Sequence, residues 1–415
     1  VGASRPEPHG VVIVGGGPVG LCLGVLLAQR GVDVVVLEAR TERTAHSRAI
    51  GIHPPGLRVL AAAGVANELW ADGVAVTRGI ARSRGRDVAR LVFDPPVLAV
   101  PQWRTEEALE ARLAELAPGA LRRGVRATGV VRTGRPQAGH DEGAAPGESA
   151  APGEGAAPGE GAAVVRALDA AGGELAFSGA WVAAADGARS PVRTALGIAA
   201  HERAYPDAYV MGDFADATGD RSTAVLYLEP GGIVESFPLP GGVRRWVVHT
   251  DELVAAPSPE GLARLVAERT GAEVDPSTNS MLSAFTVTER LAATAVRGRT
   301  VLLGDAAHEV SPIGGQGMTL GWLDAEAFAP LLASAARGAG GARGGRASEA
   351  WPELWAAVAN GRRRAAAEAA RHAGLNMALG RPLPGWAMST RNAVFRGLYL
   401  SPSVRAWTAH RFTMQ

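Results

Sequence analysis

Apolar residues follow two different rhythms along this chain. Near its start, Val11-Val12-Ile13-Val14 is an unbroken β-branched run, the pattern of a strand buried on both faces. Three glycines follow, and the residues after them read as a helix starting near Gly17. Val34–Leu37 repeats the buried-strand pattern and ends at Glu38, and Pro55–Trp70 is a helical stretch. Thr105–Leu116 is a second helix, with Leu109, Leu113 and Leu116 as its buried stripe and Thr105, Glu106 and Glu107 as its first turn. Elsewhere the pattern alternates with period two, around 74–83 and 88–93 and again in Tyr209–Phe214, Ser222–Leu228, Ile233–Leu239 and Arg245–Thr250. Gly231-Gly232 and Gly241-Gly242 supply hairpin turns between these runs. An amphipathic helix over 259–270 follows, and Met281–Arg290 returns the chain to the first region.

The expected fold is α/β: a Rossmann-like nucleotide-binding domain, an inserted and mostly antiparallel β-sheet domain, and C-terminal helices. The expected boundaries are 9–73, 100–195 and 286–335 for the first domain, 74–99 and 196–285 for the second, and 348–415 for the helices. One stretch breaks the pattern. Within 134–163, the unit Gly-Ala-Ala-Pro-Gly-Glu at 143–148 recurs almost unchanged at 149–154 and 155–160. It has no large apolar side chain to offset the entropy of ordering, so it reads as a disordered insert extending a hairpin between Gly124–Val131 and Val164–Leu168. Gly338–Arg346 is a second glycine-rich separator.

Composition narrows the function classes. With 42 basic against 41 acidic residues in 415, and the arginines scattered, no nucleic-acid partner is expected. The single cysteine, Cys22, excludes a disulfide within the chain and reads as a small buried helix residue. No apolar run approaches the ~18 residues that span a bilayer, and no signal-peptide core stands at the N-terminus, so a soluble cytoplasmic protein with no membrane contact is expected.

The chemistry begins at Gly15-Gly16-Gly17-Pro18-Val19-Gly20, which turns a buried strand into a helix. Gly15 permits the turn, Gly17 lets backbone approach a pyrophosphate, and Gly20 lets the helix pack on the strand. Glu38, about twenty residues on, is placed to accept hydrogen bonds from an adenosine ribose. Two later segments narrow a dinucleotide to a flavin. One is the strand ending in Asp186-Gly187, with Ser190 as cap of a short helix. The other is Thr300–Leu303 followed by Gly304-Asp305-Ala306-Ala307-His308, whose loop Ser311–Gly317 opens a second helix. Its N–H groups suit the N1/O2 edge of an isoalloxazine, which becomes anionic on reduction.

These three segments, in this order and spacing, resemble the class A flavoprotein monooxygenases, the para-hydroxybenzoate-hydroxylase-like and polyketide-hydroxylase-like family. The resemblance covers about residues 10–375 without the insert. It implies FAD as cofactor, with NADPH or NADH as transient co-substrate and O2 as oxidant, and hydroxylation through an FAD C4a-hydroperoxide. The implied substrate is a phenolic or polycyclic aromatic secondary metabolite, as in antibiotic biosynthesis. The alternatives are epoxidation or Baeyer–Villiger oxidation of a non-aromatic metabolite, or an FAD-dependent reductase. The absence of a second glycine-rich Rossmann turn fits a pyridine nucleotide that docks transiently.

Residue by residue, the resemblance implies FAD contacts at Gly15, Gly17, Pro18, Val19, Gly20, Glu38, Ala39, Arg40, Arg48, Gln102, Asp186, Gly304, Asp305, Pro312, Gly315, Gly317 and Met318. Asp186 carries either that role or a strand-end structural one. Thr319 departs from the family, which usually has asparagine there, and Ser311 replaces a frequent proline. The stretch after Arg346 is too short for the thioredoxin-like C-terminal domain of larger members, so a short form is expected, as monomer or homodimer. Pro312 and His53 are candidates for the flavin face, and no metal is expected. Tyr209, Tyr227, Phe237 and Trp246, with Phe285, are candidates for the substrate wall, each with plain core as the competing reading. His308 reads as a loop residue near the flavin-domain surface, and Arg362-Arg363-Arg364 as a solvated face or salt-bridge partner.

Overall fold

Two sheets organise the molecule, and the computed structural model describes residues 5–43, 49–132, 162–338 and 351–415. The first sheet has a parallel centre. Strand Glu7–Val14 lies between Val34–Glu38 and Glu174–Ala184, with Thr300–Leu302 and Leu121–Arg123 extending the parallel order on either side. Arg126–Arg132 and Ala163–Leu168 form the expected hairpin, which joins the sheet through Glu174–Ala184. Of the expected insert, residues 133–161 lie outside the described residues, as do 339–350 around the second glycine-rich separator.

Helix Pro18–Ala28 is apolar almost all round and is buried between helices Gln102–Leu116 and Gly317–Gly338. Trp322 ties two of these together by donating its indole N–H to the Pro18 carbonyl at 3.0 Å. Helix Gln102–Leu116 starts one turn earlier than Thr105, because Pro101 presets the entry. Thr105 and Glu106 therefore sit inside the helix and are buried. The stretch 55–70 is two helices, Pro54–Ala63 and Ala66–Asp72, separated by left-handed Gly64. Cys22 is fully buried, and desolvation pushes its thiol up to about 12.

The second sheet has nine strands among the described residues, in the order His308–Glu309, Met281–Ala292, Ala200–Ala215, Val243–Thr250, Gly232–Leu239, Thr223–Glu229, Val74–Ser83, Arg86–Ala99, Gly51–Ile52. All pairs are antiparallel except Thr223–Glu229 with Val74–Ser83. Strand Met281–Ala292 stays on this sheet throughout, pairing with Ala200–Ala215 across a bulge between Ala204 and Ala208. The sheet thus reaches past the boundary expected at 286, since two long bent strands carry it up to the first sheet.

Both faces of its central strands are covered. Val210, Phe214, Val234, Trp246 and Val248 pack with Leu262 and Val266 of helix Pro259–Thr270. Met211, Val247 and Phe285 share the opposite face. The C-terminal helices Trp351–Gly380, Gly385–Leu398 and Pro402–Phe412 close the structure. Trp355 stacks on Trp181 with ring centroids 4.1 Å apart and planes within 3°.

Candidate active site

One cavity of about 480 Å³ runs between the two sheets. At one end stand Gly17, Pro18 and Val19 at the N-terminus of helix Pro18–Ala28, with Gln102 and Asp305 beside them. Along its wall lie His53 and the loop Pro312–Gly315, leading to Gly317 and Met318 at the start of helix Gly317–Gly338. The far wall is the second sheet, with Met211, Glu235, Phe237, Arg245, Val247 and Phe285. Phe412, from the helix Pro402–Phe412, lines it as well and stacks on Phe93 at 5.2 Å.

The glycine turn is enforced by crowding. Gly15 has φ +104°, and a Cβ there would lie 2.2 Å from the Ala185 carbonyl oxygen. A Cβ on Gly20 would lie 1.9 Å from the Gly15 carbonyl oxygen. At Gly17 the space is open, and this N-cap residue makes no side-chain cap to the helix. The first N–H groups of an apolar, buried helix therefore face the cavity with no capping side chain.

Glu38 is buried at the neighbouring strand end. Its carboxylate accepts from Gly16 N at 2.8 Å, Arg40 N at 2.8 Å and Arg40 Nε at 2.9 Å. Burial opposes its charge, but the Arg40 and Gly16 donors hold its pKa below the ordinary value. Glu38, Ala39 and Arg40 lie off the cavity lining, on the far side of the glycine turn. Arg48 lies outside the described residues. Gln102 Nε2 donates to Glu106 Oε1 at 2.8 Å. Asp186 Oδ2 accepts from Val192 N at 3.1 Å, at the start of the short helix Pro191–Ala195, which Ser190 caps as expected. Its other oxygen, Oδ1, is buried without a hydrogen-bond partner.

A buried cluster holds the Gly304–Asp305 turn. Asp324 accepts from Gly304 N at 3.0 Å, His308 Nε2 at 2.6 Å and Arg362 Nε at 2.7 Å. His308 is thus buried rather than near the surface, because its Asp324 partner lies in the core. Burial works against its charge, yet Asp324 outweighs this and raises the His308 pKa. The same contacts lower that of Asp324 against its own burial. Arg362 is the salt-bridge partner foreseen for its triplet. Asp305 itself is open to the cavity, and the surrounding protein raises its pKa.

His53 is 2% exposed and its Nε2 lies 2.9 Å from the Gly314 carbonyl, so this nitrogen carries the proton. Burial lowers its pKa to about 4, which keeps the ring neutral. It therefore straps the Pro312–Gly315 loop to helix Pro54–Ala63, with Phe412 edge-on at 5.7 Å. Thr319 is buried and its Oγ1 is unpartnered.

Of the aromatic candidates, Phe237 and Phe285 line the cavity, and three others do not. Trp246 and Tyr227 stack together at 5.9 Å on the face covered by helix Pro259–Thr270. Tyr209 is on the cavity side but fully buried behind Phe285, on which it stacks at 5.6 Å. The cause is the period-two register: neighbours on one strand face opposite ways, and both faces here are buried. Sequence reasoning missed Glu235, Arg245 and Phe412. Arg245 is 3% exposed and bidentate to Asp213, at 2.6 and 2.7 Å.

The donor set fits a flavin dinucleotide. An uncapped helix N-terminus, an open carboxylate and a second helix start line one cavity, the kinds of group that pyrophosphate, ribityl hydroxyls and isoalloxazine would need. A family model described as an FAD binding domain matches residues 9–148 and 157–348, and the chain belongs to that FAD-binding family.

Among individual proteins, the 3-(3-hydroxy-phenyl)propionate/3-hydroxycinnamic acid hydroxylase 2 of Burkholderia vietnamiensis is 31% identical over 79% of this chain and 57% of its own length. The 6-methylpretetramide 4-monooxygenase of Streptomyces rimosus is 32% identical over 80% and 57%. The chain thus spans a little over half the length of these curated relatives. Among solved structures, the anhydrotetracycline hydroxylase OxyS of Streptomyces rimosus aligns with TM-score 0.73 and 27% identity, over 98% of this chain and 76% of the other. The p-nitrophenol 4-monooxygenase PnpA of Pseudomonas putida shares the fold at TM-score 0.81 and 23% identity, covering 98% of both chains. Among the described residues, no helix is long and apolar enough to cross a membrane.

Proposed function

We propose that the chain carries out NAD(P)H- and O2-dependent hydroxylation of a phenolic or polycyclic aromatic metabolite. One observation carries this: a single cavity joins the flavin-binding end to a largely apolar sheet wall with room for a ring system. The relatives named as hydroxylases and monooxygenases of aromatic and polyketide compounds support it. FAD, when bound, supplies the redox chemistry that takes electrons from NAD(P)H and delivers one oxygen atom from O2.

The chain supplies position and dryness. The first sheet with its helices is the cofactor domain, and the second sheet, with 74–99, is the substrate domain. Gly17, Pro18 and Val19 hold the pyrophosphate at the helix N-terminus, and Glu38 and Arg40 face the adenosine ribose. Gln102 and Asp305 flank the ribityl chain, while Pro312 and Gly315 meet the ring. Backbone N–H groups at Gly317 and Met318 stabilise charge on the ring edge. Asp186, engaged with Val192 N, serves as a strand-end cap. Phe93 and Phe412 exclude water from the reacting carbon. Need for NAD(P)H favours a cytoplasmic site of action, and the smallest active unit is a monomer or homodimer.

The test is NAD(P)H oxidation by the FAD-loaded protein across phenols, naphthols and anthraquinones, with product mass read alongside. The expected result is a substrate-accelerated rate and the gain of one oxygen atom. Oxidation without oxygen gain on this panel overturns the hydroxylase in favour of the reductase.

A further inference from the structure

Three carboxyls line the cavity: Glu235, Asp305 and Glu309. Glu309 is paired with Arg290 at 2.5 Å, and Asp305 belongs to the turn beside the first helix N-terminus. Glu235 is different. It projects from the middle of strand Gly232–Leu239, 5% exposed, and has no hydrogen-bond or ion-pair partner among the described residues. Its cross-strand neighbours are Val247 and Leu226, and Phe237 follows it on the same face. The cation nearest in the sheet pattern, Arg245, is already held by both oxygens of Asp213. Asp207 is engaged by Arg381 and His249, so that cluster is closed too. Two strands away, across Val243–Thr250, Tyr209 presents a buried hydroxyl that also lacks a partner, and the Glu235 charge adds to burial in raising its pKa.

A buried carboxylate without a partner is costly, and a fold keeps one where it has a task. Burial alone raises Glu235 to about 7, so near neutral pH it exists in both forms. That is the condition under which a general base works best.

We propose that Glu235 is the proton acceptor for the ring hydroxyl of a phenolic substrate. The inference rests on the hydroxylase reading of this same cavity. As the ring carbon gains oxygen, the ring becomes electron-poor and its hydroxyl strongly acidic. The substrate O–H bond breaks, its electron pair stays on the substrate oxygen, and the proton bonds to a Glu235 carboxylate oxygen. The neutral carboxylic acid releases that proton to water when product leaves, which restores the starting state. Glu235 stands on the sheet wall among Val247, Phe237 and Phe285, whereas the other lining acids, Asp305 and Glu309, belong to the turns at the cofactor end and His53 is held neutral against Gly314.

The experiment compares 2-naphthol with its methyl ether, 2-methoxynaphthalene, which has the same ring but no proton to give. Binding to the FAD-loaded protein is followed by ligand fluorescence across the neutral pH range, without NAD(P)H. The 2-naphthol affinity is expected to rise about tenfold as pH passes upward through about 7, as for a hydrogen bond to a charged acceptor. The ether should show no such rise, and Glu235→Gln should flatten the 2-naphthol curve. In turnover, Glu235→Gln should lose the lower limb of the kcat/KM profile and about 100-fold in kcat. Glu235→Asp should restore part of kcat.

A rise shared by the ether, a flat 2-naphthol curve, or failure of both naphthalenes to bind overturns the assignment. The contrast between ligands needs no variant, so it decides even if Glu235→Gln folds poorly. If wild type oxygenates no phenol, the hydroxylase reading falls alone, and the binding contrast still reads Glu235.

Discussion

The cradle around Gly15–Gly20 and the wall around Glu235 belong to the same cavity, yet they are built on opposite principles. The cradle works through backbone: glycines bring chain close to chain, and a helix offers bare N–H groups. The wall works through side chains projecting from a sheet whose two faces are both buried. Backbone solutions tolerate few residue types and leave a signature. Side-chain solutions tolerate many and leave almost none.

The largest test of this contrast strikes the cradle. Gly20→Val places atoms inside the Gly15 carbonyl and should cost about 4 kcal/mol or more. The outcome is little soluble protein and no flavin absorbance in what remains. Next, Asp324→Ala takes the acceptor from the half-buried Arg362 guanidinium and from Gly304 N and leaves the buried His308 to go neutral, for a loss of about 3 kcal/mol in urea melts. FAD affinity should fall with it, because Asp324 also holds Gly304 N.

The wall predicts the opposite sign. Glu235 rises from an ordinary 4.5 to about 7 on folding, so the native state binds the extra proton between those values. Its neutral form is unpenalised below about 4.5, and stability declines as pH climbs to about 7, then levels off. Glu235→Gln lacks this titration, so its stability relative to wild type should grow by on the order of 3 kcal/mol from pH 4.5 to pH 7 and above. Equal pH dependence in both proteins would mean that the carboxyl is solvated after all.

Smaller effects separate the two faces of the wall. Phe237→Ala should change affinity for aromatic ligands by roughly tenfold, while Trp246→Phe should cost about 1 kcal/mol of stability and leave ligand affinity alone. Deleting 143–161 should leave both turnover and melting unchanged within about 0.5 kcal/mol.

Legibility in the sequence followed the same divide. The buried strand, the glycine turn, Glu38 and the Gly304-Asp305 segment announced a nucleotide fold, because each constrains residue identity at fixed spacing. The alternating runs announced the second sheet but not which side of it met the cavity. Trp246 and Tyr227 were therefore candidates that the structure places under helix Pro259–Thr270, whereas Glu235 and Arg245 went unremarked. An acid in an alternating strand reads as a solvent-facing residue, and only its neighbours reveal that it is enclosed. Phe412 was invisible for another reason: it comes from a helix more than three hundred residues away from His53 and Phe93, which it touches. Long-range contact of that kind has no local pattern.

The division of the second sheet has an evolutionary meaning. Residues turned toward helix Pro259–Thr270 keep the sheet folded, while their immediate neighbours in sequence face the cavity. Mutation can therefore redraw what the cavity accepts, one alternate position at a time, while the scaffold stays as it is. A protein built this way can change what its cavity admits without rebuilding the glycine cradle, since the two jobs fall on different residues.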